Sequence, residues 1–156
     1  MRLDNLSKAD LAIVSNRRAM IDVNQQWAGY GGDMLNFSDA LVLPLNVTKS
    51  NYSRVPTNSV WWKPLPNKSA AVVLYASNAA ATISFRLDEL TWGGVNALGE
   101  GAHDCDALDL WAVPGSAEEQ LGPVSGEVSA EVPAGDVKFL RIGNCTSSTT
   151  EERSRG

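Results

Sequence analysis

The hydrophobic pattern divides the chain into a helical start and a strand-rich remainder, because its period changes near residue 60. In Ser7–Asp10 a hydroxyl stands three residues before a carboxylate, which is a weak capping box and predicts a helix through residues 11–14. A second short helix is predicted over residues 19–24. Three glycines within residues 29–32 follow it and favour a sharp turn, since glycine adopts positive φ without a steric cost.

From residue 60 onward the apolar residues follow the period of two that is typical of strands. Thr82–Leu87 alternates strictly between polar and apolar residues, which predicts a half-buried strand. Ala71–Tyr75 is apolar on both faces, which predicts a central strand covered on both sides. Three more strands are predicted, at Asp106–Ala112, Glu127–Val132 and Val137–Ile142. In the last of these the apolar residues change face, which predicts a bulge near Leu140.

The predicted fold is therefore mainly β, an antiparallel β-sandwich preceded by two short helices. Residues 1–54 hold the helices and an irregular linker, in which an isolated strand is predicted over Leu41–Leu43. Residues 55–144 form the sandwich. Residues 145–156 are predicted to be a disordered tail, because residues 147–156 contain no apolar side chain.

Composition and charge exclude several classes of protein. A chain of 156 residues fits one ordinary domain. Its 13 basic and 18 acidic residues give a net charge of −5 and form no basic block, so nucleic-acid binding is not expected. The longest apolar runs, such as Ala70–Ala76, are too short to cross a membrane.

The N-terminal residues lack the apolar core of a signal peptide, yet six asparagines stand in Asn-x-Ser/Thr motifs. Such motifs also arise by chance, but six in so short a chain favour a secretory origin. Four of them, Asn36, Asn46, Asn51 and Asn67, are candidate N-glycosylation sites. A protein with secretory features and no signal peptide is best explained as a fragment of a longer one.

The cysteines and the histidine lie close together in the sequence. Cys105 and Cys145 are the only cysteines, and they are compatible either with one disulfide or with two free thiols. His103, the only histidine, precedes Cys105 by two residues, and three aspartates lie within residues 104–109. The cluster is either a metal site, a Cys-His nucleophile pair or a solvated loop entering a strand. We favour the loop and predict no catalytic or metal-binding residue, because no group that orients the imidazole and no oxyanion hole is recognisable.

Four segments resemble α-galactosidases of the melibiase type. The first is SKADLAIVSNRRAMIDVNQQWAG, which resembles the end of that family's catalytic barrel, where a helix leads into N-x-x-V-I-A-V-N-Q-D-x-x-G. The second is VWWKPLPNKSAAVVLYAS, which resembles the family's first C-terminal strands with their W-x-K-P-L motif. The third and fourth are LDLWAVPG and VPAGDVKFLRI, which resemble its D-L-W strand and its final strand. The likeness covers most of residues 3–143, and the four motifs follow the family's order.

The first segment departs from the family's pattern in three ways. Gln26 stands where the family normally has Asp, which removes a charge from the helix end. Arg2–Asn5 exchanges the charges of the family's N-D-L-R. One extra residue also lies between Asn16 and Asn24. These departures affect the helices and not the strands.

The resemblance implies the C-terminal portion of a glycoside hydrolase that cleaves terminal α-galactosides with retention and without a metal or organic cofactor. In that family two aspartates perform the reaction on a (β/α)₈ barrel of about 250 residues. No residue of this chain matches either aspartate. We therefore expect the chain alone to be inactive, the galactoside to bind through a catalytic domain upstream, and the parent protein to be secreted or lysosomal or vacuolar.

The resemblance also implies that the two helices are a remnant of the barrel and that the sandwich packs on it. The apolar stripe expected to cover the barrel consists of Leu11, Ile13, Val14, Ile21 and Val23. Trp61 and Trp62 must point to opposite faces of a strand, so that only one of them fills the sandwich core. The other either packs on the barrel or stacks on a sugar ring. The alternatives to a glycosidase domain are therefore a non-catalytic carbohydrate-binding module and a purely structural sandwich.

Overall fold

The structure is a computed structural model that describes residues 18–38, 40–42, 54–112 and 120–147. The predicted first helix lies outside these residues. The second is present as α1, Arg18–Gln25. At eight residues, this one α-helix of the described ranges is neither long nor apolar enough to cross a bilayer.

Strands make up most of the described chain. In order they are β1 Asp33–Phe37, β2 Ala40–Val42, β3 Arg54–Pro56, β4 Asn58–Leu65, β5 Ser69–Ala76, β6 Ala81–Arg86, β7 Thr91–Trp92, β8 Val95–Asn96, β9 Ala102–His103, β10 Cys105–Asp109, β11 Gln120–Val124, β12 Glu127–Val132, β13 Asp136–Gly143 and β14 Thr146–Ser147. A 3₁₀ turn, Leu87–Glu89, follows β6. The prediction of a mainly β, antiparallel fold is confirmed.

The main layers are a six-stranded sheet in the order β1-β4-β5-β13-β10-β11 and a two-stranded sheet of β12 and β6. All of these pairs are antiparallel. The inner faces enclose one core, to which the large sheet contributes Val60, Trp62, Val72, Leu74, Leu140 and Ile142, and the small sheet contributes Ile83, Phe85, Val128 and Val132. The strict alternation of β6 and β12 follows from this arrangement, because each presents one face to the core and one to solvent.

Two strand predictions are wrong in detail. No bulge occurs near Leu140, since β13 keeps a continuous register with β5 on one side and β10 on the other. Its apolar residues change face because both faces are covered: Leu140 lies in the sandwich core, and Phe139 packs in a second cluster on the outer face. The strand at residues 40–42 is not isolated, because Ala40–Val42 pairs with Arg54–Pro56.

Strands also lie outside residues 55–144, the range predicted for the sandwich. The edge strand β1 lies within the predicted linker, and β14 lies within the predicted tail. The predicted strand over residues 106–112 ends early, at Asp109, because the Asp109 side chain accepts a hydrogen bond from the Trp111 backbone N–H at 2.9 Å and forms a turn. Residues 148–156 lie outside the described chain.

Two further links hold β10. Asp109 is fully buried, and its carboxylate accepts a 2.7 Å hydrogen bond from Lys138 Nζ of the neighbouring β13. Cys105, also fully buried, forms a disulfide with Cys145, which stands just before β14. The disulfide therefore ties the last described residues of the chain to the sandwich core.

Helix α1 packs on the outer face of the six-stranded sheet. Val23 is buried against Leu65 and Ala71, and the half-buried Leu110 and Phe139 complete this second cluster. The expectation that Val23 covers a barrel is therefore corrected, because the sheet itself buries this side chain. Ile21, on another side of the helix, is exposed.

The glycines after α1 let the chain turn back onto β4. Gly32 has φ of 103°, and a Cβ built there would lie 2.6 Å from the Trp62 carbonyl oxygen and 2.8 Å from Lys63 Cβ. Gly29 also has a positive φ, of 87°, but a Cβ built there would meet no atom within 4 Å. Gly32 is thus required both for its backbone angle and for close approach to a strand.

Replacing Gly32 by Ala is expected to lower the free energy of unfolding by more than about 2 kcal/mol. The left-handed backbone alone costs roughly 1–2 kcal/mol for a residue with a Cβ, and the collision with β4 adds to that cost. Gly29→Ala is the matched control, because alanine there has the unfavourable backbone angle but no steric collision. Urea unfolding of both variants measures the difference, and equal losses would show that the close approach is unimportant.

Candidate functional site

The two adjacent tryptophans of β4 point to opposite sides of the large sheet. Trp62 is 6% exposed and lies in the sandwich core, whereas Trp61 is 48% exposed on the outer face. Trp61 Nε1 donates a 3.1 Å hydrogen bond to Ser59 Oγ, which holds the indole against the strand. Phe37 pairs with Ser59 in the ladder, so the backbone register places it on the same outer face, where it is 55% exposed.

A groove of about 450 Å³ runs between α1 and this outer face. Its apolar walls are formed by Met20, Val23, Trp61, Val73 and Phe139. The helix and the exposed tryptophan therefore line one surface, which we call the outer-face groove.

Few polar groups line the outer-face groove. Lys63 Nζ lies 3.5 Å from the Asn24 carbonyl oxygen in the last turn of α1, where a cation stabilises a helix terminus. Of the described residues that line the groove, Asp33 alone carries a carboxylate. A retaining glycosidase needs two carboxylates about 5–5.5 Å apart, and the described lining of this groove contains one.

Aromatic rings flank the segment that joins α1 to β1. Tyr30 stacks on Trp92 with ring centroids 3.8 Å apart and an angle of 10° between the rings, and its ring lies 6.0 Å from Trp62. The Tyr30 hydroxyl donates to Asp33 Oδ2 at 3.1 Å. The pKa of Tyr30 is raised, mainly because partial burial disfavours the charged form and also because of this hydrogen bond to the Asp33 carboxylate. Trp27, in the same segment, is 67% exposed.

The contact between Tyr30 and Trp92 was not predicted from the sequence. A partial signal was present as Gly93-Gly94 between two short extended segments, which is typical of a two-residue hairpin turn. In the structure Trp92 and Val95 pair across that turn and expose their side chains at the tip. The stacking on Tyr30 is a tertiary contact between residues 62 positions apart in the chain and has no local signature.

The histidine, cysteine and aspartate cluster lies next to the disulfide that joins Cys105 and Cys145. Cys105 is consumed by the disulfide, so no thiolate is present to act as a nucleophile. His103 Nε2 lies 3.7 Å from the Asp104 carboxylate, and Asp106 accepts a hydrogen bond from Asn144 Nδ2 at 3.0 Å. Across the described ranges no three His, Cys, Asp or Glu side chains are grouped so that they could hold a metal ion.

The predicted glycosylation sites fall in different parts of the chain. Asn36 is exposed on the edge strand β1, and Asn67 is exposed in the turn between β4 and β5, with φ of 62°. Asn46 and Asn51 lie outside the described residues.

The fold is similar to part of several solved glycosidases. The α-galactosidase of Saccharomyces cerevisiae, solved with raffinose, superposes with a TM-score of 0.66 at 17% identity, covering 93% of this chain and 39% of that one. The α-galactosidase I of Mortierella vinacea superposes with a TM-score of 0.61 at 19% identity. The match covers 92% of this chain and 31% of that one. A GH27 β-L-arabinopyranosidase of Geobacillus stearothermophilus superposes with a TM-score of 0.59 at 18% identity. The match covers 96% of this chain and 26% of that one.

The chain thus spans about a quarter to two fifths of the length of these relatives. At such low identities the likeness establishes the fold alone. A search of curated proteins finds no significant match to the sequence. A family model, described as the alpha galactosidase C-terminal beta sandwich domain, matches residues 56–142. The match covers more than half of the chain, which therefore belongs to the α-galactosidase C-terminal β-sandwich family.

Proposed function

We propose that this chain is the C-terminal portion of an α-galactosidase-like glycoside hydrolase and that its outer-face groove docks on a (β/α)₈ catalytic barrel. The parent enzyme would hydrolyse terminal α-galactosides, or the related N-acetylgalactosaminides, with retention and without a cofactor. The family membership and the similarity to GH27 enzymes support this proposal.

The observation that carries the docking proposal is the apolar character of the outer-face groove. Trp61 is half exposed beside α1, the element that connects the sandwich to the preceding part of the chain. Apolar patches larger than a few hundred Å² are uncommon on monomeric proteins and mark interaction surfaces. A surface at the junction with the preceding chain is placed to meet a domain that precedes it.

A sugar-binding groove would have a different lining. Such sites place several polar groups around an aromatic platform. In the outer-face groove the Asp33 carboxylate is already occupied by Tyr30 and by the Met34 backbone N–H, and Lys63 is directed at the helix end. The groove therefore favours protein docking over carbohydrate binding.

Catalysis is assigned to the docked domain. We infer that the sandwich supports the barrel mechanically and contributes no catalytic residue. Secretion or a lysosomal or vacuolar location of the parent enzyme, with glycans at the exposed Asn36 and Asn67, belongs to the same proposal.

The test is an activity assay of the purified chain combined with the sequence that precedes it in the transcript. We expect no turnover of aryl α-galactosides, and we expect the upstream reading frame to encode a barrel with a K-W-D strand of the family's type. Turnover that is lost when a carboxylate of this chain is replaced would contradict the assignment of catalysis. An upstream region without any barrel would contradict the docking partner.

A further inference from the structure

One of the six Asn-x-Ser/Thr motifs differs from the others in its middle residue. In Asn144-Cys145-Thr146 that residue is a cysteine, and this cysteine forms the disulfide with Cys105. The other five motifs have leucine, phenylalanine, valine, tyrosine or lysine at that position. Residues 144–146, which we call the cysteine motif, therefore combine an acceptor sequence for a glycan with one half of the disulfide.

Each residue of the cysteine motif is bound to one short segment, residues 103–106. Asn144 Nδ2 donates a 3.0 Å hydrogen bond to Asp106 Oδ2. Thr146 Oγ1 donates a 2.9 Å hydrogen bond to the His103 carbonyl oxygen, and the two residues are also partners in the short ladder of β14 and β9. The disulfide lies between these two contacts. The whole motif is thus fixed against the start of β10.

Glycan transfer needs both ends of such a motif. The asparagine amide nitrogen attacks the anomeric carbon of a lipid-diphosphate-linked oligosaccharide, the C–O bond to the diphosphate breaks, and the amide loses a proton. The hydroxyl two residues further on is part of the recognised sequence. In the folded chain the Asn144 amide and the Thr146 hydroxyl both bind the chain itself. The left-handed φ of 50° at Asn144 also turns the backbone at the start of the motif. The folded motif is therefore closed to a transferase.

The disulfide decides whether this closed form opens. Both hydrogen bonds lie at the exposed surface, where one bond has a modest net strength, and β14 is only two residues long. Contacts of this kind break readily by local unfolding. Cys105 is fully buried in the sandwich core, so a covalent bond to it keeps the middle of the motif in place when the hydrogen bonds break. Without that bond, residues 144–147 are free to leave the segment.

We propose that the disulfide closes Asn144 to N-glycosylation, so that only chains in which Cys145 is unpaired accept a glycan there. Pairing of the two thiols releases two protons and passes two electrons to the disulfide of a protein oxidant in the secretory compartment, which is reduced to two thiols. A glycan at Asn144 then marks chains that did not pair their cysteines. The inference rests on the secretory origin in the proposed function and does not depend on docking to a barrel.

The test is the glycan occupancy of Asn144 in the full chain, secreted from a eukaryotic host behind a cleavable signal peptide. Peptide mass spectrometry after enzymatic deglycosylation measures it, because an asparagine that carried a glycan becomes an aspartate. We expect a glycan at Asn144 in a minority of the unchanged molecules. Cys105→Ala leaves the cysteine motif intact and should raise the occupancy several-fold. Cys145→Ser, which also removes the disulfide, should raise it in the same way.

Two controls accompany these variants. Asn67 stands in the turn between β4 and β5, where Ser69 Oγ donates a 2.7 Å hydrogen bond to the Pro66 carbonyl oxygen. The contacts of that motif are local and involve no cysteine, so its occupancy should be the same in every variant. Trp62→Ala weakens the core but keeps both cysteines, and it should leave the occupancy of Asn144 low. A rise as large as that of Cys105→Ala would show that slow folding, and not the missing disulfide, exposes the motif.

The remaining outcomes also decide the proposal. Equal occupancy of Asn144 in the unchanged chain and in Cys105→Ala would overturn it, and so would a glycan that is absent from Asn144 in every variant. A rise in Cys145→Ser alone would trace the effect to the middle residue of the motif and would overturn it as well. A glycan at Asn67 in any of these cases leaves the proposed glycosylation of the chain standing. Its absence from both positions would contradict that part of the proposed function too.

Discussion

Replacing Trp62 by Ala is expected to lower the free energy of unfolding by about 3–5 kcal/mol, the usual cost of removing a large aromatic side chain from a core. Trp62 is 6% exposed and belongs to the core cluster that both sheets share. Its ring lies 6.0 Å from Tyr30, so the variant also loosens the segment between α1 and β1. Urea unfolding followed by circular dichroism measures the loss.

The neighbouring tryptophan supplies the matched control. Trp61→Ala removes the same side chain from the next position of the same strand, but this indole is 48% exposed. We expect a loss of no more than about 1 kcal/mol, mainly from the hydrogen bond to Ser59. Equal losses at the two positions would contradict the assignment of one tryptophan to the core and the other to the outer face.

Removing the disulfide is expected to cost about 4 kcal/mol of stability, since the chain-entropy relation gives this value for a closed loop of the observed size. Cys105 and Cys145 are separated by 40 positions. Because small domains are typically stable by only about 5–15 kcal/mol, the double variant Cys105→Ala/Cys145→Ala should unfold at a much lower denaturant concentration.

Reduction of the unchanged chain provides the control for the disulfide. A reducing agent should lower its stability by a similar amount and should have no effect on the double variant. Cys105 lies in the sandwich core, so alanine there also removes packing, and the double variant should be slightly less stable than the reduced chain. An unchanged unfolding curve after reduction would show that the two cysteines are not joined.

Local patterns predicted the elements whose environment differs between their two faces. Glu127–Val132 is a strand in the structure with the predicted bounds. Its polar and apolar residues alternate because one face of the strand lies on the core and the other faces solvent. The helix over residues 18–25 was predicted to within one residue at each end. β13 was predicted as a strand but with a false bulge, because its sequence has apolar residues on both faces and periodicity alone does not distinguish a bulge from two-sided burial.

The candidate site was only partly predictable. Alternation along a strand requires one of Trp61 and Trp62 to face outward, but only the three-dimensional structure shows that the outward residue is Trp61 and that it shares a groove with α1. The burial of Val23 on the sheet is a tertiary contact without a sequence signature.

Sedimentation velocity of the isolated chain tests the docking account most directly. If the outer-face groove is an uncovered docking surface, the chain should self-associate as its concentration rises. Trp61→Ser should weaken this association about tenfold, which corresponds to about 1.4 kcal/mol, while methyl α-D-galactopyranoside should have no effect on it. The contrary result has two parts: the chain stays monomeric at all concentrations, and its tryptophan fluorescence changes saturably with added galactoside unless Trp61 is replaced. That result would contradict the account and establish a carbohydrate-binding groove instead.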